Sequence, residues 1–308
     1  MKLSTKPFNN NIHPLTLNTK ILSGKEVSIA VYEALKDRIN NLNSKSITPG
    51  LAVILVGEDP ASKVYIRNKT RKFAELDLYT ETIKYSADIS QSDLVTKIQE
   101  LNQDDQFHGI LVQLPLPNHI DSDAILNAID PKKDVDGFHP YNLGCLTSGR
   151  PTFIPCTPKG IMRILKHYQI DLSGKHVVVV GRSNIVGRPI SVLTSLKKEY
   201  ANATTTICHS GTPNIRNYTQ QADILILALG SPEFLTGDDI KEGALIIDVG
   251  INRVDDDSEK GYKLVGDGEE ASLMGIATAL TPVPGGVGPM TIAMLVENTV
   301  EAAERSLN

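Results

Sequence analysis

The chain is expected to fold as an α/β protein with parallel sheets, on three observations. Short unbroken apolar runs recur at residues 51–56 (LAVILV), 109–114 (GILVQL), 176–181 (HVVVVG), 223–228 (DILILA) and 244–249 (ALIIDV). Runs of this kind suit strands covered on both faces, as in parallel sheets. The segments between them carry apolar residues at helical spacing, and glycine stands directly after the first and third runs, at Gly57 and Gly181.

Length and composition set the frame. At 308 residues the chain is long enough for two domains, and 41% hydrophobic with 22% charged residues is the balance of a soluble globular protein. Aromatics make up 5% with no Trp, so the core must rest on Val, Ile, Leu and Ala. With 31 basic against 36 acidic residues the net charge is -5, which offers no electrostatic footprint for nucleic acid or an anionic membrane. Cys145, Cys156 and Cys208 are odd in number and form no C-x-x-C pair. They read as reduced thiols of a cytoplasmic protein, and no metal site is expected. No apolar run approaches the ~20 residues of a membrane helix. Residues 1–20 lack the apolar stretch of a secretory signal and are expected to form a disordered leader.

The elements follow in order. Val27, Ile29, Ala30, Leu35, Ile39 and Leu42 fit a helix over residues 24–42. Asp59-Pro60 is a capping acid followed by a proline at the first helical position, and predicts a helix to about Leu76. Another helix fits residues 91–102, and the strand at 109–114 closes at Pro115 and Pro117. Residues 131–158 are rich in turn formers and read as a long functional loop with the domain junction. A helix over 157–168 crosses between domains. The βα pattern then restarts with the strand at 176, a helix over 186–199, and strands at 203–208, 223–228, 244–249 and 263–265, giving about five parallel strands in an open doubly wound sheet. A final helix carries Ile292, Leu295, Val296, Thr299, Val300 and Ala303 on one face.

The turn Gly181-Arg-Ser-Asn-Ile-Val-Gly187-Arg-Pro189 follows a buried strand and opens a helix. Glycine permits the tight turn and the close helix, and phosphate would meet free N–H groups at the helix N-terminus. The spacing is wider than G-x-G-x-x-G, so the glycines could also serve a plain strand-to-helix turn. At the end of the next strand the chain reads Cys208-His209-Ser210-Gly211, without the acidic residue that binds a ribose 2′-hydroxyl in NAD sites. Arg182, Ser183, Arg188, His209 and Ser210 could instead hold a 2′-phosphate, which favours NADP.

In the first half, Tyr65 and Lys69 are four apart and share a helix face. A Tyr-x-x-x-Lys pair suggests short-chain dehydrogenases, but there the glycine turn comes first and here it comes second. A solvated helix face is the plain alternative, since Lys63, Arg67 and Lys72 lie on the same helix. Gln113 sits at the carboxyl end of a buried strand, where open α/β sheets place their ligands. Asp134-Val-Asp136-Gly137 lacks the EF-hand spacing, and both acids could be turn residues.

Taken together, Ala61-Ser-Lys-Val-Tyr65-Ile-Arg-Asn-Lys69, Val112-Gln113-Leu114-Pro-Leu-Pro117, Lys133-Asp-Val-Asp136-Gly137, Pro155-Cys-Thr-Pro-Lys-Gly160, the Gly181–Gly187 turn and Thr281-Pro-Val-Pro-Gly-Gly-Val-Gly-Pro-Met-Thr291 resemble the bifunctional methylenetetrahydrofolate dehydrogenase/methenyltetrahydrofolate cyclohydrolase family. The match runs in order from about Ile21 to the C-terminus. The resemblance implies an N-terminal α/β folate-binding catalytic domain (21–159 and 284–308) and a Rossmann-type doubly wound NADP-binding domain (160–283), with the C-terminal helix returning to the first domain. It implies NADP-dependent oxidation of 5,10-methylenetetrahydrofolate to the methenyl form, then hydrolysis to 10-formyltetrahydrofolate. The catalytic set is then Lys69, Tyr65, Gln113 and Asp136. Val112, Leu114, Pro284, Gly285, Gly286, Val287 and Gly288 join them around folate. Gly181, Arg182, Ser183, Val186, Gly187, Arg188, His209, Ser210 and Ile251 would hold NADP. A cytoplasmic homodimer is implied as well.

Two departures stand out. Asp77-Leu78 replaces the family's Gly-Ile, and Gly266-Asp-Gly-Glu-Glu270 replaces its usual acidic segment. A shikimate-type or amino-acid-dehydrogenase-like NADP oxidoreductase would share the domain order but explains neither Val-Gln-Leu-Pro-Leu-Pro nor the Pro-Gly-Gly turn. A catalytically dead nucleotide-binding regulator would have no reason to keep Tyr65, Lys69, Gln113 and Asp136.

Overall fold

The computed structural model describes residues 17–258 and 261–307. A two-residue strand, β1 (Lys20–Ile21), leads into α1 (Gly24–Asn43), which starts where the Ser23 hydroxyl accepts the Glu26 N–H. Then come β2 (Gly50–Val56), α2 (Pro60–Glu75), β3 (Tyr79–Tyr85), α3 (Gln91–Gln103) and β4 (Gly109–Val112). As the sequence predicts, Asp59 caps α2 by accepting the Ser62 N–H at 2.7 Å, with Pro60 at its first position. The three strands form a parallel sheet in the order β3-β2-β4.

Three helices lead to the second sheet: α4 (Ser122–Ala128), α5 (Pro140–Thr147) and α6 (Cys156–His167). They are followed by β5 (His176–Val180), α7 (Gly187–Ser195), β6 (Thr204–Cys208), α8 (Arg216–Thr219), β7 (Ile224–Leu227), β8 (Leu245–Asp248), β9 (Asn252–Asp255), β10 (Tyr262–Val265), α9 (Glu270–Leu273), β11 (Ala279–Leu280) and α10 (Val287–Arg305). The second sheet is parallel throughout, in the order β1-β11-β8-β7-β5-β6. The chain leaves β5 to one side for β6 and returns on the other as β7, so the strand order reverses at the carboxyl end of β5. Open α/β sheets bind ligands at such a crevice.

Strand alternation assigns the cores. Leu51, Val53 and Leu55 of β2 join Val177 and Val179 of β5, Ile226 of β7 and Ile247 of β8 in one apolar cluster, filled between them by α1, α6 and α10. Ala52, Ile54 and Val56 point the other way, to Leu94, Ile98 and Ile125 under α3 and α4. Val178 and Val180 face Leu225, Leu235 and Leu273 on the far side of the second sheet. Both sheets are thus covered on both faces, with a shared helical layer between them.

The last helix closes this layer by packing on α6 and α1. Glu297, 9% exposed, lies 2.7 Å from Arg163, 3.5 Å from Lys159 and 3.7 Å from Arg38. Arg38 also grips Glu304 with two bonds of 2.8 and 2.6 Å. The C-terminal helix is therefore tied to both α1 and α6 by charge as well as by packing. Among the described residues no helix is long and apolar enough to cross a membrane.

Five details differ from the sequence reading. The segment 131–158 contains α5, started by Pro140 behind the side chain of His139, which accepts the Tyr141 N–H. Neither α4 nor β3 is marked by periodicity, because one is short and the other is a half-buried edge strand. The helix expected to reach residue 199 ends at Ser195. Residues 263–265 do not join the parallel sheet: β10 pairs antiparallel with β9, and only Val265 of that strand is buried. Finally, residues 17–20, expected within the leader, are hydrogen-bonded to the second sheet and its neighbouring loop. Leu17 N–H donates to Gly275 O, buried Thr19 donates to Ala277 O at 2.7 Å, and Lys20 pairs with β11. Residues 1–16 lie outside the described residues.

Gly160 lets α6 and α10 pack closely: an added Cβ there would stand 2.8 Å from Met290 Cβ. Gly160→Ala is expected to lower stability by about 1–3 kcal/mol through overpacking. Urea unfolding checks this; an unchanged midpoint would mean the helices separate freely.

Candidate active site

The shared layer brings four of the predicted residues together. Tyr65 and Lys69 project one turn apart from α2, and Gln113 follows β4 directly. Lys69 is only 5% exposed, and its ammonium donates to Gln113 Oε1 at 3.2 Å. The Gln113 amide is oriented from behind, because its Nε2 donates to Leu114 O at 2.8 Å, which leaves the oxygen facing the cation. The same ammonium sits 5.2 Å from the Tyr65 ring centroid. Burial pushes the Tyr65 phenol above its usual range, with Asp136 and Cys156 adding to the shift, while a hydrogen bond from Thr291 opposes it. The phenol therefore keeps its proton at neutral pH.

The two aspartates of Asp134-Val-Asp136 divide the work. Asp134 is 1% exposed and fully engaged: Oδ1 accepts the N–H groups of Gly137 and Phe138, and Oδ2 accepts His139 N–H at 2.8 Å and Asn142 Nδ2 at 2.8 Å. It is a turn residue, one of the alternatives the sequence left open, and it shapes the loop that carries Asp136. Asp136 has no such cage. Burial raises its carboxyl above the ordinary range, Lys69 pulls it down, Asp134 pushes it up, and the Cys156 thiol hydrogen-bonds it. Beside Asp136, burial holds the Cys156 thiol well above the ordinary range.

The glycine-rich turn meets this cluster from the other side. A cavity of about 450 Å³ is lined by Tyr65, Ile251 and the Pro284–Gly288 turn, among others. A larger groove of about 910 Å³, around Phe107, His108, Lys133 and Arg305, contains none of the predicted site residues. Two of the expected folate contacts, Val112 and Val287, are packed in the apolar cores, 4% and 3% exposed; Val287 also borders the 450 Å³ cavity, whereas Val112 does not.

The Gly181–Gly187 turn, expected from the sequence to hold the dinucleotide, lies at the crevice beside β5. Gly181 adopts φ of +130°, and a Cβ there would stand 2.2 Å from Ala228 O. A Cβ on Gly187 would stand 2.2 Å from Gly181 O, so the turn closes this tightly only with glycine at both positions. Such a cradle fits the close backbone approach a pyrophosphate needs. Ser183 Oγ accepts the N–H groups of Val186 and Gly187, which fixes the loop shape. Arg182 Nη1 lies 3.4 Å from His209 Nε2 at the end of β6, and Ser210 is exposed next to them. Arg188 leans on Asn184 Oδ1 at 3.1 Å.

Sequence reasoning overlooked several partners. Cys156 and Thr291 lie inside the quoted motifs, and Thr291 also meets Thr157 at 2.9 Å. Fully buried Asn298 donates to Val135 O at 2.7 Å and Ile154 O at 3.1 Å, and accepts from Lys159 at 2.7 Å. An asparagine amid the apolar residues of the final helix was the available signal, since a buried amide must find partners.

Two family models match the chain: Tetrahydrofolate dehydrogenase/cyclohydrolase, catalytic domain, over residues 22–136, and the NAD(P)-binding domain of the same name over residues 155–307. Bifunctional protein FolD of Chlorobium chlorochromatii is 54% identical over 289 residues, covering 92% of this chain and 98% of that one. The crystal structure of the bifunctional FolD dehydrogenase/cyclohydrolase from Campylobacter jejuni has a TM-score of 0.88 at 47% identity, covering 94% and 99% of the two chains. The Trypanosoma brucei dehydrogenase-cyclohydrolase, complexed with NADP cofactor and inhibitor, has a TM-score of 0.88 at 36% identity, covering 94% and 99%. Shikimate dehydrogenase from Thermus thermophilus is a distant match, at 15% identity and a TM-score of 0.49.

Because Asp134 answers four donors inside the protein, Asp134→Ala is expected to lower stability by about 2–4 kcal/mol, leaving buried N–H groups unpaired. Denaturant titration measures this. A loss below about 0.5 kcal/mol would contradict the anchoring role.

Proposed function

Because the chain belongs to the tetrahydrofolate dehydrogenase/cyclohydrolase family, we propose a specific role for each residue gathered at its site. The protein is a bifunctional enzyme. It is an NADP-dependent methylenetetrahydrofolate dehydrogenase, and a cyclohydrolase that hydrolyses the methenyl product to 10-formyltetrahydrofolate. The observation that carries the residue assignment is the buried Lys69–Gln113 pair, with Tyr65 and Asp136 beside it.

Lys69 is the residue that moves a proton. Hydrolysis adds water to the methenyl carbon, breaks one carbon–nitrogen bond and needs a proton on the nitrogen released; Lys69 Nζ, held by Gln113, holds and passes that proton. Gln113 keeps the ammonium aimed at the reacting centre. Tyr65, protonated and bonded to Thr291, lines the folate ring. Asp136 accepts two N–H bonds from the pterin's aminopyrimidine edge, and unlike Asp134 it has oxygens to spare. Leu114 and Pro284, Gly285, Gly286 and Gly288 border the folate, with Val112 and Val287 contributing backbone.

When bound, NADP supplies the hydride acceptor for the oxidation. Gly181, Ser183, Val186 and Gly187 suit its pyrophosphate, Arg182, Arg188, His209 and Ser210 its 2′-phosphate, and Ile251 its nicotinamide end. The absence of a carboxylate at the end of β6 and the meeting of Arg182 with His209 support NADP over NAD.

The folate half takes in residues 21–159 and 284–308 and the nucleotide half residues 160–283, with Leu17–Ile21 as an edge segment of the nucleotide sheet. The packing of α10 on α1 and α6 supports this division. A cytoplasmic homodimer fits the reading, and the three free cysteines are in keeping with a reducing compartment.

An absorbance assay with methylenetetrahydrofolate tests the reading: the methenyl signal should rise faster with NADP than with NAD and then decay. A clear preference for NAD would overturn the 2′-phosphate assignment. Lys69→Met is expected to abolish the decay while NADP still binds, and undiminished hydrolysis would remove Lys69 from its role. Asp136 carries a raised pKa, so its charged form is lost at a higher pH than for an exposed aspartate. The folate KM is therefore expected to climb as pH falls, and Asp136→Asn to give a high, flat profile. An unchanged profile in the variant would refute the contact.

A further inference from the structure

Two buried carboxylates in the nucleotide half have no part in the chemistry above and no cationic partner among their hydrogen bonds. Asp267, fully buried, accepts three consecutive backbone N–H groups: Leu229 at 2.6 Å and Gly230 at 3.0 Å on Oδ2, and Ser231 at 3.0 Å on Oδ1. Its Oδ1 also accepts Asn252 Nδ2 at 2.9 Å. Asp248, 5% exposed, accepts Gly250 N–H at 2.8 Å and Asp267 N–H at 3.0 Å on Oδ1, and Gly268 N–H at 2.8 Å on Oδ2. Its own N–H donates to Thr281 Oγ1 at 2.8 Å. Three consecutive amides converging on one point make an anion-binding concavity. Here the chain fills it with its own carboxylate, so the concavity holds a loop in shape.

The loops so held are the ones that leave the carboxyl ends of β7 and β8. Residues 229–231 continue directly from Ala228, whose carbonyl closes against Gly181 of the dinucleotide turn. Gly250 precedes Ile251, which is 48% exposed at the cavity shared with Tyr65 and the Pro-Gly-Gly turn. A Cβ on Gly250 would stand 2.3 Å from Asp267 Oδ1, so the two loops touch through this carboxylate. The departure noted at 266–270 leaves Asp267 in place.

We infer that Asp267, braced by Asp248 and Asn252, is a positioning residue for the dinucleotide: it joins the loops after β7 and β8 into one rigid edge against Gly181 and Ile251. The inference rests on the reading that NADP binds along this edge. It acts on the oxidation, which needs the dinucleotide, and not on the hydrolysis, which Lys69 performs in the other half. Removing the charge would leave four donors facing a neutral amide whose NH2 group competes with them.

The test uses the full-length enzyme and both activities. Asp267→Asn is expected to raise the KM for NADP by about tenfold, the scale of one lost charge-assisted bond, while hydrolysis of methenyltetrahydrofolate without NADP stays within about twofold. Asn252→Ala, which keeps the carboxylate and removes one donor, should raise the NADP KM by roughly threefold with hydrolysis intact; it carries the test if Asp267→Asn fails to fold. An NADP KM unmoved in the soluble variants, or oxidation and hydrolysis falling in parallel, overturns the positioning role. If the unsubstituted enzyme shows no NADP-linked oxidation, the cofactor reading falls first and this inference with it. Normal oxidation there with unmoved variants overturns the inference alone.

Discussion

Two parallel sheets must each be covered on both faces, and in this protein they share one cover. Strands such as β2 and β5 are apolar at nearly every position, so one face of each needs a second layer; α1, α6 and α10 provide it for both sheets at once. Each Val or Leu buried there contributes about 1.5–3 kcal/mol, far more than the exposed ion pairs along the helices. The chain's order follows from this requirement. The layer is complete only when the last helix returns from the second sheet to lie on α1 and α6, with Glu297 tied to cations on both.

The site lies where this layer runs out. Gln113 and Asp136 follow β4, while Gly181, Ala228 and Gly250 follow β5, β7 and β8, so backbone and polar groups gather at the carboxyl ends of both sheets. Three buried aspartates, Asp134, Asp248 and Asp267, and the less buried Asp136 are told apart by their partners. Asp134, Asp248 and Asp267 are each satisfied by the chain's own N–H groups and hold loops. Asp136 has the Cys156 thiol and the charges of Lys69 and Asp134 around it instead. A carboxylate with its donors already supplied by the chain serves the architecture.

The same distinction marks how far the sequence could be read. The long strands, α1, α2, α3 and the final helix follow from apolar periodicity and caps, since a buried strand or an amphipathic helix writes its burial into neighbouring residues. Periodicity could not find β3 or α5: one is a half-buried edge strand, and the other is an eight-residue helix inside a proline-rich stretch. It also placed residues 263–265 in the wrong sheet. A short run of alternating residues fits an antiparallel hairpin as well as a parallel edge, and the vacant edge positions were taken by the two-residue strands β11 and β1.

By itself the sequence determined the α/β class and the order of the catalytic and NAD(P)-binding parts, and through its motifs singled out the glycine turn at 181–187 and Tyr65, Lys69, Gln113 and Asp136 as candidates. Only the tertiary structure decided what each polar residue is for. Tyr65 meets Thr291, Asp136 meets Cys156, Asn298 clamps Val135 and Ile154, and Asp267 collects the loop at 229–231. The reason is range: periodicity and capping act between residues within a few positions of one another, whereas these pairings join distant segments that come together only when the shared helical layer sets the two sheets in register.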